Sequence, residues 1–289
     1  MWTLFRPALH CSYDLGGRKV PGNRMTHMLI FGLGYTGTRL AERLRDEGWV
    51  VEATGSNGTL DFDDQAEVLR ALAHATHVLS SVPPDSATGA DPMLTRYDAA
   101  LAASDAQWIG YLSSTGVYGD TGGAWVDESA PIGGGRRQAR AEADRAWQGL
   151  RGDVRVFRLP GIYGPGRSAL DRVHAGRAHR IDLADQVFSR VHVDDIVAGV
   201  VASFAGPPGV YNLADDLPCH QNRVIEAACA LLGVEPPPLL PLDDAGLGAQ
   251  ARAFYAENRR VANSKAKRVL GWRPSYPTFW EGLRACHAA

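Results

Sequence analysis

Long apolar runs are missing from this 289-residue sequence. No stretch reaches the ~18 consecutive apolar residues of a membrane-spanning helix, so a bilayer is not an expected partner. Cysteine is scarce: Cys11, Cys219, Cys229 and Cys286 are far apart and form no CxxC. That spacing argues against a disulfide framework and for free thiols in a reducing compartment, most of them simply packing. Neither sign of charge dominates, with 30 basic and 32 acidic residues and a formal net charge of -2. No long basic run interleaves with aromatics, which removes nucleic acid as an expected partner and leaves a small molecule. The opening residues contain no compact hydrophobic segment with a small-residue cleavage site, so a cytoplasmic location is the expectation.

What is present is an ordinary globular composition, 45% hydrophobic and 8% aromatic, enough for one large domain or a domain plus a lobe. Residues 1–27 mix Gly, Pro and charge without periodicity and are expected to be a disordered extension, or a misassigned start with Met25 as the true one. From Met28 the pattern is regular. Apolar runs at 28–32, 49–54, 76–82, 108–114 and 154–160 predict strands, and helical spacing follows the first and covers 64–73, 91–104 and 136–149. Strands separated by helices imply a parallel sheet covered on both faces, a doubly wound α/β fold. Later elements are expected as a helix near 168–176, a strand at 187–191, a helix at 194–205 and a last strand at 209–214.

The turn after the first strand reads GLGYTG, placing Gly32, Gly34 and Gly37 in GxGxxG spacing with Tyr35 and Thr36 between them. On a strand–turn–helix this is a dinucleotide fingerprint. The first glycine permits the tight turn, the second admits a pyrophosphate, and the third lets helix pack on strand while helix amides face the anion. An acidic residue at the end of the second strand would hold an NAD ribose, and a basic one an NADP phosphate. The chain offers Thr54, Gly55, Ser56 and Asn57 instead, with Glu52 too early to serve. The cofactor is therefore NAD or NADP, the absence of a repelling carboxylate tipping the balance slightly to NADP.

Further motifs add a family. YLSSTGVYGDTGG (111–123), VFRLPGIYGPG (156–166), RVHVDDIVAGV (190–200), YNLADD (211–216) and SKAKRVLGWRP (264–274) together resemble the extended short-chain dehydrogenase/reductases, the NAD-dependent epimerase/dehydratase group that acts on nucleotide sugars. The resemblance runs from Met28 to the C-terminus. It implies a Rossmann domain over 28–165 and a smaller substrate-side lobe over 166–289, with about 187–214 returning to the sheet, and homodimerisation through helices flanking the fourth and fifth strands. It also implies that Ser114 bonds the reacting oxygen, that Asp61 lies near the adenine, and that Val82 and Pro160 line the cofactor. Thr115 stands where dehydratases carry an acid, which argues against sugar dehydration.

The resemblance breaks at the helix after the fourth strand. Where the family carries a YxxxK pair, the tyrosine as acid/base and the lysine as its electrostatic partner and ribose ligand, this chain places Arg136 and Arg140. Arginine stays protonated, so Arg136 cannot cycle as a base near neutral pH; Arg140 can still hold ribose hydroxyls. Tyr118 and Tyr163 are the alternative tyrosines, each more readily read as packing. The arginine that binds the substrate diphosphate in relatives is replaced by Phe188, leaving Arg190, with Arg259 or Arg260, to take that part.

His74 and His77 form an HxxH without a third ligand, so no metal is expected. A hydrolase triad of Ser114, His192 and Asp194 or Asp195 lacks a nucleophile elbow, and the aspartates fit a helix start better. Two functions follow: an epimerase or reductase of a nucleotide sugar or related carbonyl or hydroxyl compound, or a non-catalytic NAD(P)-binding sensor or interaction protein that has lost its base.

Overall fold

A computed structural model describes residues 26–133, 135 and 138–289. In chain order the strands are β1 (His27–Phe31), β2 (Val50–Ala53), β3 (His77–Ser80), β4 (Trp108–Ser114), β5 (Trp125–Val126), β6 (Val154–Leu159), β7 (Gly161–Tyr163), β8 (Arg180–Ile181), β9 (Arg190–His192), β10 (Gly209–Asn212), β11 (Leu239–Leu240) and β12 (Arg260–Val261). The helices that position the site are α1 (Tyr35–Asp46), α2 (Gln65–His74), α3 (Pro92–Ala102), α4 (Gln138–Leu150), α5 (Ala169–His174), α6 (Val193–Ala202) and α7 (Gln221–Leu232), followed by a C-terminal helix, Phe279–Ala288.

The central sheet is parallel throughout, in the order β10-β6-β4-β3-β1-β2. The doubly wound α/β class expected from the alternating pattern is the one observed. Successive side chains point to opposite faces of a strand, so β1 feeds two cores. Met28 and Ile30 pack with Leu40 and Leu44 of α1 and Ile196 and Val200 of α6. Leu29 and Phe31 pack on the other side with Val68, Leu72, Tyr97 and Trp147 of α2, α3 and α4. Burial on both faces explains why these strands read as unbroken apolar runs.

Helix starts follow local chemistry. Asp64 caps α2 by accepting the Glu67 amide at 3.0 Å. Asp91 caps α3 through the Met93 and Leu94 amides, with Pro92 opening the helix. The chain winds outward in opposite senses from β1 and β3, so the loops after these two strands diverge and leave a crevice at their carboxyl ends, where ligands bind in this architecture.

Two expectations need correction. The strand placed at 187–191 forms at Arg190–His192 and pairs with β7 in a separate two-stranded ribbon, so only β10 of that region joins the sheet. Phe188 is instead held by paired backbone bonds with Cys219 at 3.0 and 3.1 Å. The extension expected over residues 1–27 falls outside the described residues as far as Met25. His27 itself is the first residue of β1, because its amide reaches Thr76 Oγ1 at 3.0 Å and its ring meets Glu52 at 2.8 Å. A smaller apolar cluster joins Leu170 of α5, Val224 and Ile225 of α7, and Phe279 and Leu283 of the C-terminal helix, forming a lobe beside the strand ends.

Candidate active site

The glycine loop has three different reasons for its glycines. Gly32 adopts φ 88°, and Gly37 approaches so closely that a Cβ there would lie 2.8 Å from the Gly32 carbonyl oxygen. Gly34 is the opposite case: its extended backbone suits any residue, and a Cβ there would meet nothing within 4 Å. The open space lies at the start of α1, where no side chain caps the first amides. Unsatisfied helix amides beside an open cradle fit a pyrophosphate. The loop is fixed by Leu33 N donating to Thr54 O at 2.8 Å and by Ser81 Oγ donating to Gly32 O at 2.5 Å. Val82 lies against Gly32, where a Cβ would reach its Cγ2 at 3.1 Å.

At the end of β2, Thr54 is buried and serves the loop, while Ser56 and Asn57 are exposed. Glu52 is occupied by His27 and Arg70, so it is not a ribose ligand. Asp61 is exposed and its carboxylate accepts the Asp63 amide at 2.9 Å in a local turn.

A cavity of about 910 Å³ continues from Gly34, Tyr35 and Thr36 past Ser114, Arg140 and Pro160 into the lobe. Ser114 ends β4, and its Oγ accepts the Gly116 amide at 3.1 Å, which leaves the hydroxyl proton for a ligand. Its neighbour Ser113 points the other way, donating at 2.6 Å to Asp144 of α4. Asp144 is fully buried and receives Arg158 through Nε at 3.1 Å and Nη2 at 2.8 Å. Arg158 also donates to the Tyr118 hydroxyl, which donates to Asn212 at 2.7 Å. Tyr118 is therefore bound into a network that ties α4 to β4, β6 and β10. It is not free for proton transfer.

Arg136 lies outside the described residues. Arg140, on the first turn of α4, lines the cavity and lies beside the buried Tyr111 hydroxyl, which burial pushes above its usual range and Arg140 pulls down. Tyr163 also lines the cavity, its ring edge-on to His192 at 5.2 Å and its hydroxyl against Gly282 of the C-terminal helix. Burial raises its pKa and Asp215 adds to the rise. Tyr35 donates to Pro165 O at 3.0 Å and is pushed up to about 12, chiefly by burial. None of these tyrosines is tuned toward neutrality.

Phe188 and Arg190 both line the cavity. Arg190 is buried, donates from Nη1 to Cys219 Sγ at 3.0 Å, and lies 5.8 Å from the Phe279 ring centre. Arg259 lines the cavity and pairs with Glu257 at 2.9 Å, whereas Arg260 turns to the Gly123 carbonyl. What the sequence reading missed is the contribution of α5 and the loops on either side of it: Arg167, Arg172, Arg177 and His179 all line the cavity. The run GRSALDRVHAGRAH carried that signal, but helical spacing alone does not tell which way each arginine points.

The weaker constellations have structural work. His192 Nδ1 accepts the Asp194 amide at 3.2 Å, so its proton sits on Nε2, 3.7 Å from the Cys286 thiol. A histidine in that tautomer cannot take a proton from the thiol. Asp195 receives the Ser275 and Tyr276 amides at 2.6 and 3.1 Å and anchors the C-terminal segment. His77 is packed among Trp49, Trp108 and Phe204, and no metal-ligating group of three occurs among the described residues.

No protein-family model matches the chain. It is 41% identical to a functionally unknown conserved protein from Silicibacter pomeroyi DSS, covering 91% of this chain and 98% of that one, with a TM-score of 0.81. The structure of MoeE5 in complex with UDP-glucose and NAD is similar at 19% identity and TM-score 0.73, over 91% of this chain and 97% of that one. Human epimerase family protein SDR39U1 (isoform 2) with NADPH is similar at 18% identity and TM-score 0.72, over 91% and 99% of the two chains.

Proposed function

We propose that this chain, whose fold is shared with MoeE5 and the epimerase family protein SDR39U1, is a member of the NAD-dependent epimerase/dehydratase group of extended short-chain dehydrogenase/reductases and an NAD(P)-dependent oxidoreductase acting on a nucleotide sugar or a related polar carbonyl or hydroxyl compound. The observation that carries this reading is the continuity of one cavity from the open cradle at Gly34 to the hydroxyl of Ser114. MoeE5 was solved with NAD and UDP-glucose and SDR39U1 with NADPH, which supports a dinucleotide in the cradle and a polar substrate beyond it.

Gly34 and the first amides of α1 would hold the pyrophosphate, Arg140 the nicotinamide ribose, and the backbone at Pro160 the nicotinamide side of the site. A bound nicotinamide supplies or accepts hydride. Ser114 donates its hydroxyl proton in a hydrogen bond to the reacting oxygen and fixes its position. Arg140 contributes a permanent positive charge that steadies negative charge developing there, but it removes no proton.

Oxidising a hydroxyl must release a proton and reducing a carbonyl must take one up; the arginines at 136 and 140 serve neither need, so in either direction the proton exchanges with solvent while Ser114 and Arg140 only position and steady the oxygen. The slight preference for NADP rests on the uncharged end of β2. Thermal unfolding with NAD, NADH, NADP and NADPH in turn tests the reading, because a ligand of the native state raises its stability by mass action. A shift with one redox pair is the expected result, followed by loss of turnover in Ser114→Ala. No shift with any of the four would sink the proposal and favour a protein that retained the architecture without the cofactor.

A further inference from the structure

The cavity wall contains six arginines, Arg140, Arg167, Arg172, Arg177, Arg190 and Arg259, against two carboxylates. Both carboxylates are already engaged: Asp171 accepts Ser168 Oγ and N at 2.6 Å, and Glu257 pairs with Arg259 at 2.9 Å. The surplus of donors is greatest in the lobe. Arg172 on α5 and Arg177 in the loop after it line both the main cavity and an adjoining recess of about 20 Å³, together with Gln221 and Tyr255. Among the described residues no carboxylate pairs with either arginine.

Gln221 opens α7 with its amide divided. Its Oε1 lies 3.5 Å from Arg190 Nη2, while Nε2 is shut away from solvent with no acceptor. Arg190 is itself poorly matched, donating to a thiol sulfur at 3.0 Å and to the Cys219 carbonyl at 3.4 Å. A buried donor without an acceptor destabilises the fold unless something outside the chain supplies one. Arg172 and Arg177 line the cavity with side chains open to solvent; desolvation lowers the Arg172 pKa, Tyr255 opposes the fall and the neighbouring Arg190 cation adds to it. Guanidinium and carboxamide donors thus line one recess where the chain places no carboxylate.

We propose that this wall of α5, its following loop and the start of α7 is an anion subsite, in which Arg172, Arg177 and the Gln221 amide hold a carboxylate or phosphate group of the substrate. The assignment rests on the oxidoreductase reading only for the word substrate. It moves the anion-binding charge away from the position of Phe188, which packs edge-on against Tyr255 at 5.5 Å. The ligand is thus an anionic compound whose charged end lies in the lobe, away from Ser114.

Calorimetric titration of the full chain with inorganic phosphate and, separately, with benzoate tests this, in the presence of excess dinucleotide to fill the glycine loop. Saturable binding of at least one anion is expected, weakened tenfold or more in the Arg172→Gln, Arg177→Gln double variant, with dinucleotide affinity within twofold of the parent. Preference between the two probes tells a phosphate ester from a carboxylate. Two single variants separate a binding role from a structural one. Arg172→Met, which removes a solvent-exposed cation, should melt close to the parent without ligand, and Gln221→Leu, which removes a buried donor with no acceptor, at or above it, yet each should lose most of the anion-induced shift. Absence of saturable binding of both anions, or equal binding by the double variant, overturns the subsite; so does a clear fall in unliganded melting temperature for both single variants. Failure of dinucleotide binding alone overturns the oxidoreductase reading and leaves the anion comparison standing.

Discussion

Gly34 and Gly37 stand three residues apart in one loop, yet their replacement by alanine should fail in different ways. At Gly34 the backbone is extended and the added methyl meets no protein atom within 4 Å, so unliganded stability should stay within about 0.5 kcal/mol of the parent. The methyl occupies the space assigned to the pyrophosphate, and losing one or two hydrogen bonds to a charged group costs about 3 kcal/mol, roughly a 100-fold weaker Kd. At a dinucleotide concentration 100 times the parent Kd, stabilisation should fall from about 2.7 to about 0.4 kcal/mol. For a chain of this size each kcal/mol is worth about 2–4 °C in melting temperature, so a shift of several degrees should shrink to about one. At Gly37 the methyl would lie 2.8 Å from a backbone oxygen that cannot rotate away, so the unliganded protein should lose about 1–3 kcal/mol, with binding weakened as the helix start moves. Differential scanning fluorimetry of both variants, with and without dinucleotide, reads all four quantities. A Gly34→Ala protein that keeps the full ligand shift would refute the placement of the pyrophosphate.

Asp144→Ala should cost about 3–5 kcal/mol in urea unfolding, because it leaves the buried Arg158 guanidinium without its carboxylate, whereas loss at an exposed pair such as Arg43–Glu47 should be under 1 kcal/mol. Asp215 is pushed up to about 7, mainly by burial, with Arg190 opposing, so its stabilisation is complete below about pH 3.8 and is lost as pH rises through 7. Asp215→Asn should therefore melt higher than the parent at pH 8 and close to it at pH 4; a constant difference across that range would show that the carboxyl does not titrate there. Asp195, raised to about 6 chiefly by burial, acts in the same sense. His77 and His192, each lowered to about 4 chiefly by burial, act oppositely: their stabilisation is present above pH 6.5 and drains as pH falls through 4. The parent profile between pH 4 and 6, where the aspartates and histidines oppose one another, should be flatter than that of Asp215→Asn. Gly282→Ala should disturb the cavity wall, since its methyl would fall 2.0 Å from the Tyr163 hydroxyl; lost anion or substrate affinity with dinucleotide affinity retained is the expected outcome.

The parallel sheet was legible because its strands are buried on both faces and its connections are helical, a pattern that MLIFG and VFRLP state in apolar residues alone. The glycine loop was legible for the same reason: turn, cradle and close packing each dictate a residue type. Element ends were less so. The strand read at 187–191 begins at Arg190, because pairing with β7 rather than composition sets that limit. The lobe was least readable. Its cavity face is built by side chains from α5, α7 and the C-terminal helix, whose convergence depends on tertiary packing and leaves no spacing in the sequence. Arg190 could be read as facing a ligand from its place beside the HVDD motif, whereas Arg172 and Arg177 had no such neighbour.

The C-terminal helix gives the site a history as well as a shape. Translation completes the six-stranded sheet at Asn212, and Phe279 and Leu283, which close the cavity, follow about 70 residues later. At roughly 5–20 residues per second that interval is on the order of 4–14 seconds. The glycine loop and the whole of its sheet are thus synthesised before the residues that close the opposite wall of the cavity, so those closing residues are the last part of the site to be made.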